Sequence, residues 1–158
     1  MSTNVGQADA GSIARSEALA VTSGHVMRIV FDVPPLFDEI DAAFHIAGKP
    51  VIYAWGSTVF NPMRITIPDA LKAHEAVHGV RQGQDIVGWW RRYIDDVEFR
   101  LGEEIPAHKA EYDVLIKRGA DRNQRRRLLK FVAGRMANPI YGRMVTPARA
   151  LAILKEAA

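Results

Sequence analysis

The chain of 158 residues contains no cysteine. Disulfides and thiolate ligands are therefore excluded, and any bound metal must be held by imidazole and carboxylate, a donor set that suits Zn²⁺. No run reaches the ~18 apolar residues of a membrane-spanning helix, so no membrane association is expected. The N-terminus lacks the basic segment and apolar stretch of a secretory signal, and the absence of cysteine fits a reducing compartment. No internal repeat is visible. A composition of 48% hydrophobic and 25% charged residues is that of an ordinary globular chain, long enough for one core.

Charge is unevenly placed. From Lys117 onward there are 11 Lys/Arg against 2 acidic residues, and before it 10 against 16. The basic C-terminal helices expected from about residue 120 read first as a solvated face. Their alternative is a nucleic-acid contact through Arg122, Arg125, Arg126, Arg127, Lys130 and Arg135, although no DNA-binding motif accompanies them.

Residues 1–24, rich in Ser, Thr, Gly and Ala, read as a flexible N-terminal arm with a short helical piece around Ile13 to Val21. Residues 25–158 read as a single α+β, predominantly helical domain. His25 to Val33 alternates as a strand, and Leu36, Ile40 and Phe44 mark an amphipathic helix. Val51 to Gly56 and Thr58 to Phe60 read as strand, bounded by Asn61-Pro62. A helix follows, with Pro68 and Asp69 in its lead-in and an apolar stripe of Ala70, Ala73, Val77 and Val80. Gly83 ends it and Asp85 caps a second, whose core face would be Ile86, Trp90, Tyr93 or Ile94, and Val97. Trp89 and Trp90 read as core and rim rather than as a platform for substrate. Gly102 and Pro106 stand four apart, so a break or kink is expected there before a third helix ending at Gly119. Asp121 caps the next, with Leu128, Leu129, Phe131 and Val132 as its apolar side, and a last helix spans Ala148 to Ala157.

The most informative residues are His74-Glu75-Ala76-Val77-His78. On a helix, side chains four apart lie one above the other, so both imidazoles can reach one metal ion. Glu75 projects roughly 100° away from His74, where it can act as general base on water polarised by the metal. This is the HExxH arrangement of zinc-dependent hydrolases. A catalytic zinc usually takes a third protein ligand. The elongated HExxHxxGxxH pattern is excluded, because Arg81 and Gln84 stand where it needs Gly and His. The remaining candidates are Glu98, Glu103, Glu104 and Glu111. Glu104-Ile105-Pro106-Ala107 resembles the Glu-x-x-Ala/Ser element that supplies the third ligand in gluzincins, which favours Glu104 over Glu98. His108 stands where thermolysin-like enzymes place an Asp that orients a ligand imidazole, so it could support the site, replace a ligand or serve neither purpose. His108 and Tyr141 are the candidate groups for stabilising an oxyanion, while Gln82 reads as a polar helix end.

Tyr53-Ala54-Trp55-Gly56, Asn61-Pro62, the run from His74 to Gln82, Trp89 to Tyr93 and Phe99 to Glu104 together resemble a small HExxH family of tailed bacteriophages and prophages, over roughly residues 30 to 145. The resemblance implies a zincin-like minimal metallopeptidase with a small N-terminal sheet packed on the HExxH helix and the helices that follow. It further implies Zn²⁺ on His74, His78 and Glu104, with Glu75 driving hydrolysis of a peptide or amide bond in a peptide or protein substrate. Tyr53 to Phe60 would lie along that substrate by strand addition. The alternative is a noncatalytic phage structural or assembly protein that binds other phage proteins. Either way the expected location is the bacterial cytoplasm or the phage particle.

Overall fold

A computed structural model describes residues 17–22 and 25–157. Its elements are β1 (Glu17–Thr22), β2 (His25–Val30), α1 (Phe37–Phe44), β3 (Tyr53–Trp55), β4 (Thr58–Phe60), α2 (Asp69–Arg81), α3 (Ile86–Asp95), α4 (Val97–Ile116), α5 (Arg122–Met136) and α6 (Pro147–Ala157), with a 3-10 turn at Pro139–Tyr141 before α6. The fold is α+β and mostly helical, and none of the described helices is long and apolar enough to cross a membrane.

The four strands form one sheet in the order β1-β2-β4-β3. β1 runs antiparallel to β2, β2 parallel to β4, and β4 antiparallel to β3. Met27, Ile29, Ile52, Val59 and Ile67 form the layer between the sheet and α2. Ile40, Ile46, Tyr53, Trp89, Trp90 and Tyr93 fill the space under α1 and α3. Tyr112, Leu129, Val132, Ala133, Met136, Ala150 and Leu154 join α4, α5 and α6. The HExxH helix α2 packs mainly on α4 and β3.

Local chemistry sets most boundaries. Asp85 accepts from the Gly88 amide at 2.9 Å and Asp96 from the Phe99 amide at 2.9 Å. Asp121 and Gln124 satisfy each other's backbone amides at 2.8 and 2.7 Å, a reciprocal capping box at the start of α5.

The structure corrects several expectations. The helical piece proposed around Ile13 to Val21 is strand β1 from Glu17 onward, while residues 1–16 lie outside the described residues. No break occurs between Gly102 and Pro106, since α4 runs unbroken through both. Gly102 is exposed, so the carbonyl that Pro106 leaves without a helical partner can reach water, and Asp96 caps a new helix one turn and a half earlier. Val97 and Phe131, assigned to apolar core faces, are 43% and 56% exposed. Trp89 and Trp90 are both buried.

The largest correction concerns α2. Its buried residues are Ala70, His74, Glu75 and His78, whereas Val80 is 72% exposed. The helix turns its chemistry inward and part of its expected apolar stripe outward. Gln82 is no polar helix end: it is 4% exposed and its amide bridges the β3–β4 turn. Its Oε1 accepts from the Gly56 amide at 2.7 Å, and its Nε2 donates to the Ala54 carbonyl at 2.9 Å. The Trp90 indole donates to the same carbonyl at 3.1 Å. These bonds take the Ala54 and Gly56 backbone groups on the open edge of β3, so strand addition along Tyr53 to Phe60 is blocked there.

Gly79 lets the helix approach this turn, since a Cβ at that position would lie 2.2 Å from the Gly56 carbonyl oxygen. Gly79→Ala should therefore cost about 1–3 kcal/mol by overpacking. Gly102→Ala, where a Cβ meets nothing within 4 Å, should gain about 0.5–1 kcal/mol from helix propensity. Urea unfolding of both variants checks this pair of opposite signs.

Candidate metal centre

Two antiparallel demands meet where α2 crosses α4: each helix must bury a face, and each offers ionisable groups on it. α2 contributes His74, Glu75 and His78, and α4 contributes Glu104, His108 and Glu111. All six are buried. Spacing explains the convergence, because i, i+4 pairs on α2 (His74, His78) and on α4 (Glu104, His108) stack along facing sides.

His74 Nε2 and His78 Nε2 lie 3.1 Å apart. Glu104 completes a triangle, with Oε1 3.2 Å from His78 Nε2 and Oε2 3.5 Å from His74 Nε2. Bonds of ~2.0–2.1 Å to a tetrahedral zinc place neighbouring donors ~3.3–3.4 Å apart. The triangle has that size. Glu104 Oε2 has no hydrogen-bond partner despite full burial, an orphan that a cation at the centre of the triangle would satisfy. The residues therefore fit a divalent metal, and among the candidates for third ligand Glu104 is the one that meets both histidines.

The other candidates have different work. Glu98 is exposed in the first turn of α4. Glu103 holds Arg81 through paired hydrogen bonds of 2.7 and 2.8 Å, tying the end of α2 to α4. Glu111 stands behind His74, with Oε2 3.6 Å from His74 Nδ1 and 3.0 Å from His108 Nδ1, and Oε1 2.8 Å from Arg135 Nε. Nothing in the spacing of the HExxH motif pointed to this supporting role, because Glu111 lies two helical turns beyond Glu104. His74, His108 and Glu111 also form a second set of closely spaced donors. The Arg135 guanidinium already compensates Glu111, which makes this set the less suited of the two to a cation.

His108 is fully buried between the carboxylates of Glu104, 3.3 Å from its Nε2, and Glu111. It does not line the cavity beside the triangle. It therefore stands behind the His74–His78–Glu104 triangle and not on the cavity wall. Tyr141 does line that cavity, along with His74, Glu75, His78 and Glu104, and its ring stands edge-on to His108 at 5.8 Å. The 3-10 turn that carries Tyr141 is held by Arg100, whose Nε donates to the Tyr141 carbonyl at 3.0 Å. Arg100 also donates to the Tyr93 and Ile94 carbonyls at 2.5 and 3.0 Å, so one buried guanidinium fixes both the end of α3 and the Tyr141 turn. Tyr93 reaches the centre itself, its hydroxyl donating to Glu104 Oε1 at 2.5 Å.

Electrostatics sort the groups by role. Burial pushes the His74 pKa down to about 4, which leaves the ring neutral and able to ligate. Burial opposes charge on His78 too, but the Glu104 carboxylate outweighs it and raises that pKa. For Glu104 itself burial is overcome by His78 and His108, so the carboxyl is held well below the usual range. Glu111 is pulled down to about 2 against its burial by His108, His74 and Arg135. Glu75 behaves oppositely: burial pushes it up to about 7, the range suited to a general base. Tyr141 is raised well above its ordinary value by burial and then by Glu104 and Glu75, which keeps its hydroxyl a donor.

The cavity beside the triangle is small, about 70 Å³, and mostly apolar, with Ile40, Ile46, Tyr53 and Trp90 among its walls. Glu75, Val51, Ile52, Ile140 and Tyr141 line both this cavity and a neighbouring groove of about 520 Å³. Glu75 thus sits where the groove meets the centre. Comparison of the chain with protein-family models, with curated proteins and with solved structures returns no match.

Burying an ionised Glu75 carries a measurable penalty. Its folded pKa of about 7 lies above the ordinary 4.5, so the unfolded chain releases this proton first as pH rises. Stability of the metal-free protein is therefore lost between those two values, by about 3 kcal/mol in all. Glu75→Gln removes that loss. Urea melts in chelator should show no advantage for the variant near pH 4.5 and an advantage that grows to pH 7 and then levels.

Proposed function

We propose that the protein is a zinc-dependent hydrolase of the gluzincin type, acting on a peptide or amide bond. The observation that carries this reading is the buried His74–His78–Glu104 triangle of zinc-ligand dimensions with Glu75 beside it at the end of a groove. His74, His78 and Glu104 would hold the cation, which supplies Lewis-acid polarisation of water and of the scissile carbonyl when bound. The donor set of two imidazoles and one carboxylate suits zinc, and it leaves room in a four-coordinate site.

The remaining steps belong to the chain. Glu75, with its pKa near neutrality, removes a proton from the attacking water and delivers it to the leaving nitrogen. The Tyr141 hydroxyl, held neutral and positioned by Arg100, donates a hydrogen bond to the oxygen on which negative charge develops. Glu111, whose Oε2 lies 3.6 Å from His74 Nδ1, would support that ring electrostatically with a cation bound on its other side. The apolar walls of the small cavity exclude bulk water, which strengthens each of these interactions.

The tightness of that cavity favours one rival: a metal-stabilised binding or assembly protein on the same scaffold, with no turnover. One set of variants separates the two. Zinc should be present at one equivalent by elemental analysis and be lost in His74→Ala, His78→Ala and Glu104→Ala. Glu111→Gln should weaken zinc affinity about 10–100-fold. Glu75→Gln should keep the metal and abolish hydrolysis of a mixed peptide library. Stoichiometric zinc without any hydrolysis by the unaltered protein would favour the rival.

A further inference from the structure

The first two turns of α5 stand clear of the core, with residues 121–127 all exposed. Arg122, Arg125, Arg126 and Arg127 lie there, Lys130 follows, and Arg118 joins them across the Gly119 turn. α5 contains no acidic residue, and the carboxylate of Asp121 is committed to the helix cap. Cations at a helix N-terminus work against the helix dipole, so this concentration of charge is unfavourable for the isolated fold. Some cations outside this patch find carboxylates: Lys72 with Asp69, Arg91 with Glu39, Arg92 with Asp96, and Lys109 with Asp113. Among the described residues Arg118, Arg122, Arg126, Arg127 and Lys130 have no such partner.

This surface is joined to the metal centre. Arg118 and Arg127 rim a groove of about 430 Å³ whose walls include Leu115, Leu128 and Phe131. Leu115 and Phe131 also line the 520 Å³ groove that ends at Glu75. Phe131, 56% exposed and misplaced for a core residue, stands at the junction of the two. A track therefore leads from the arginines, past Phe131 and Arg135, to Glu75.

We infer that α5 is a docking site for acidic residues of the substrate, so that the protein takes extended polypeptides carrying Asp or Glu at a distance from the bond that reaches the metal centre. This rests on the hydrolase reading for the chemistry at Glu75, but the docking contact stands on the surface itself. Polypeptide fits better than nucleic acid because charge changes along the track. Near the centre the groove is walled by Pro50, Ile52, Ile65 and Leu71 and contains Glu75 and Glu111, while its one cation, Arg135, is already paired to Glu111. A phosphodiester backbone is negative at every residue and would be repelled there, whereas a peptide backbone is neutral. From Arg135 to Arg127 is roughly eight residues of helix, about 12 Å. Extended chain spans that distance in about four residues.

The test uses the 158-residue, zinc-loaded chain and the variant Arg122→Glu/Arg126→Glu/Arg127→Glu, which exchanges exposed side chains and leaves Arg125, bonded to the Ala120 carbonyl, in place. A proteome-derived peptide library is digested and the cut sites are read by mass spectrometry. Asp and Glu should be enriched on one side of the cut at a distance of about four residues or more, and the variant should lose the enrichment while cutting peptides that lack acidic residues at the unaltered rate. In a second arm, fluorescein-labelled heptaglutamate is titrated by anisotropy in low salt. The variant should bind it at least tenfold more weakly, with circular dichroism melts showing both proteins folded. Cleavage without acidic enrichment, or equal heptaglutamate binding by both proteins, overturns the inference. So does tighter binding of a single-stranded oligothymidylate of equal charge, which would make α5 a nucleic-acid contact. If the unaltered protein cuts nothing, the hydrolase reading fails, and the anisotropy arm still decides whether α5 docks acidic chains.

Discussion

A carboxylate with about one per cent of its surface exposed, Glu104, is the constraint around which the rest of the molecule is arranged. Burying such a charge without compensation costs several kcal/mol, and the fold surrounds it with the Tyr93 hydroxyl and the rings of His74, His78 and His108. These groups do not fully satisfy it, since Glu104 Oε2 lacks a hydrogen bond. A divalent cation between the carboxylate and the two rings would give that oxygen a partner. Binding of such a cation would be coupled to stability of the α2–α4 crossing, as is general for sites whose donors converge only in the folded chain.

Holding the crossing in register takes parts that lie outside the donor set. Gln82 grips the β3–β4 turn with both ends of its amide, Gly79 lets α2 descend onto the Gly56 carbonyl, and the Arg81–Glu103 pair pins the far end. Arg100 does the same for the opposite wall, linking α3, α4 and the Tyr141 turn through three carbonyls. These bonds go to backbone carbonyls, so none of them is broken by a change in carboxylate protonation.

The sequence disclosed the donors better than it disclosed their setting. HExxH carries its own geometry, because i, i+4 spacing on a helix needs no tertiary information, and Glu104 followed from a short local pattern. The capping residues Asp85 and Asp121 were legible for the same reason. What failed was inference from hydropathy. α2 buries His74, Glu75 and His78 and exposes Val80, an inversion of the usual rule that occurs where chemistry displaces packing. Pro106 looked like a break, yet tertiary contacts on both sides of it outweigh one lost hydrogen bond at an exposed glycine. Glu111 read only as one candidate ligand and Gln82 as a polar helix end, because their partners, His74 and the β3–β4 turn, are remote in sequence and only the folded chain brings them together.

X-ray absorption at the zinc edge of the zinc-loaded protein interrogates the centre most directly. Two imidazole nitrogens with carboxylate and water oxygens at about 2.0–2.1 Å, and outer-shell scattering from two histidine rings, is the expected spectrum. A first shell of oxygen alone without imidazole scattering, or a protein that retains no zinc, would contradict the assignment of His74, His78 and Glu104 as one metal site.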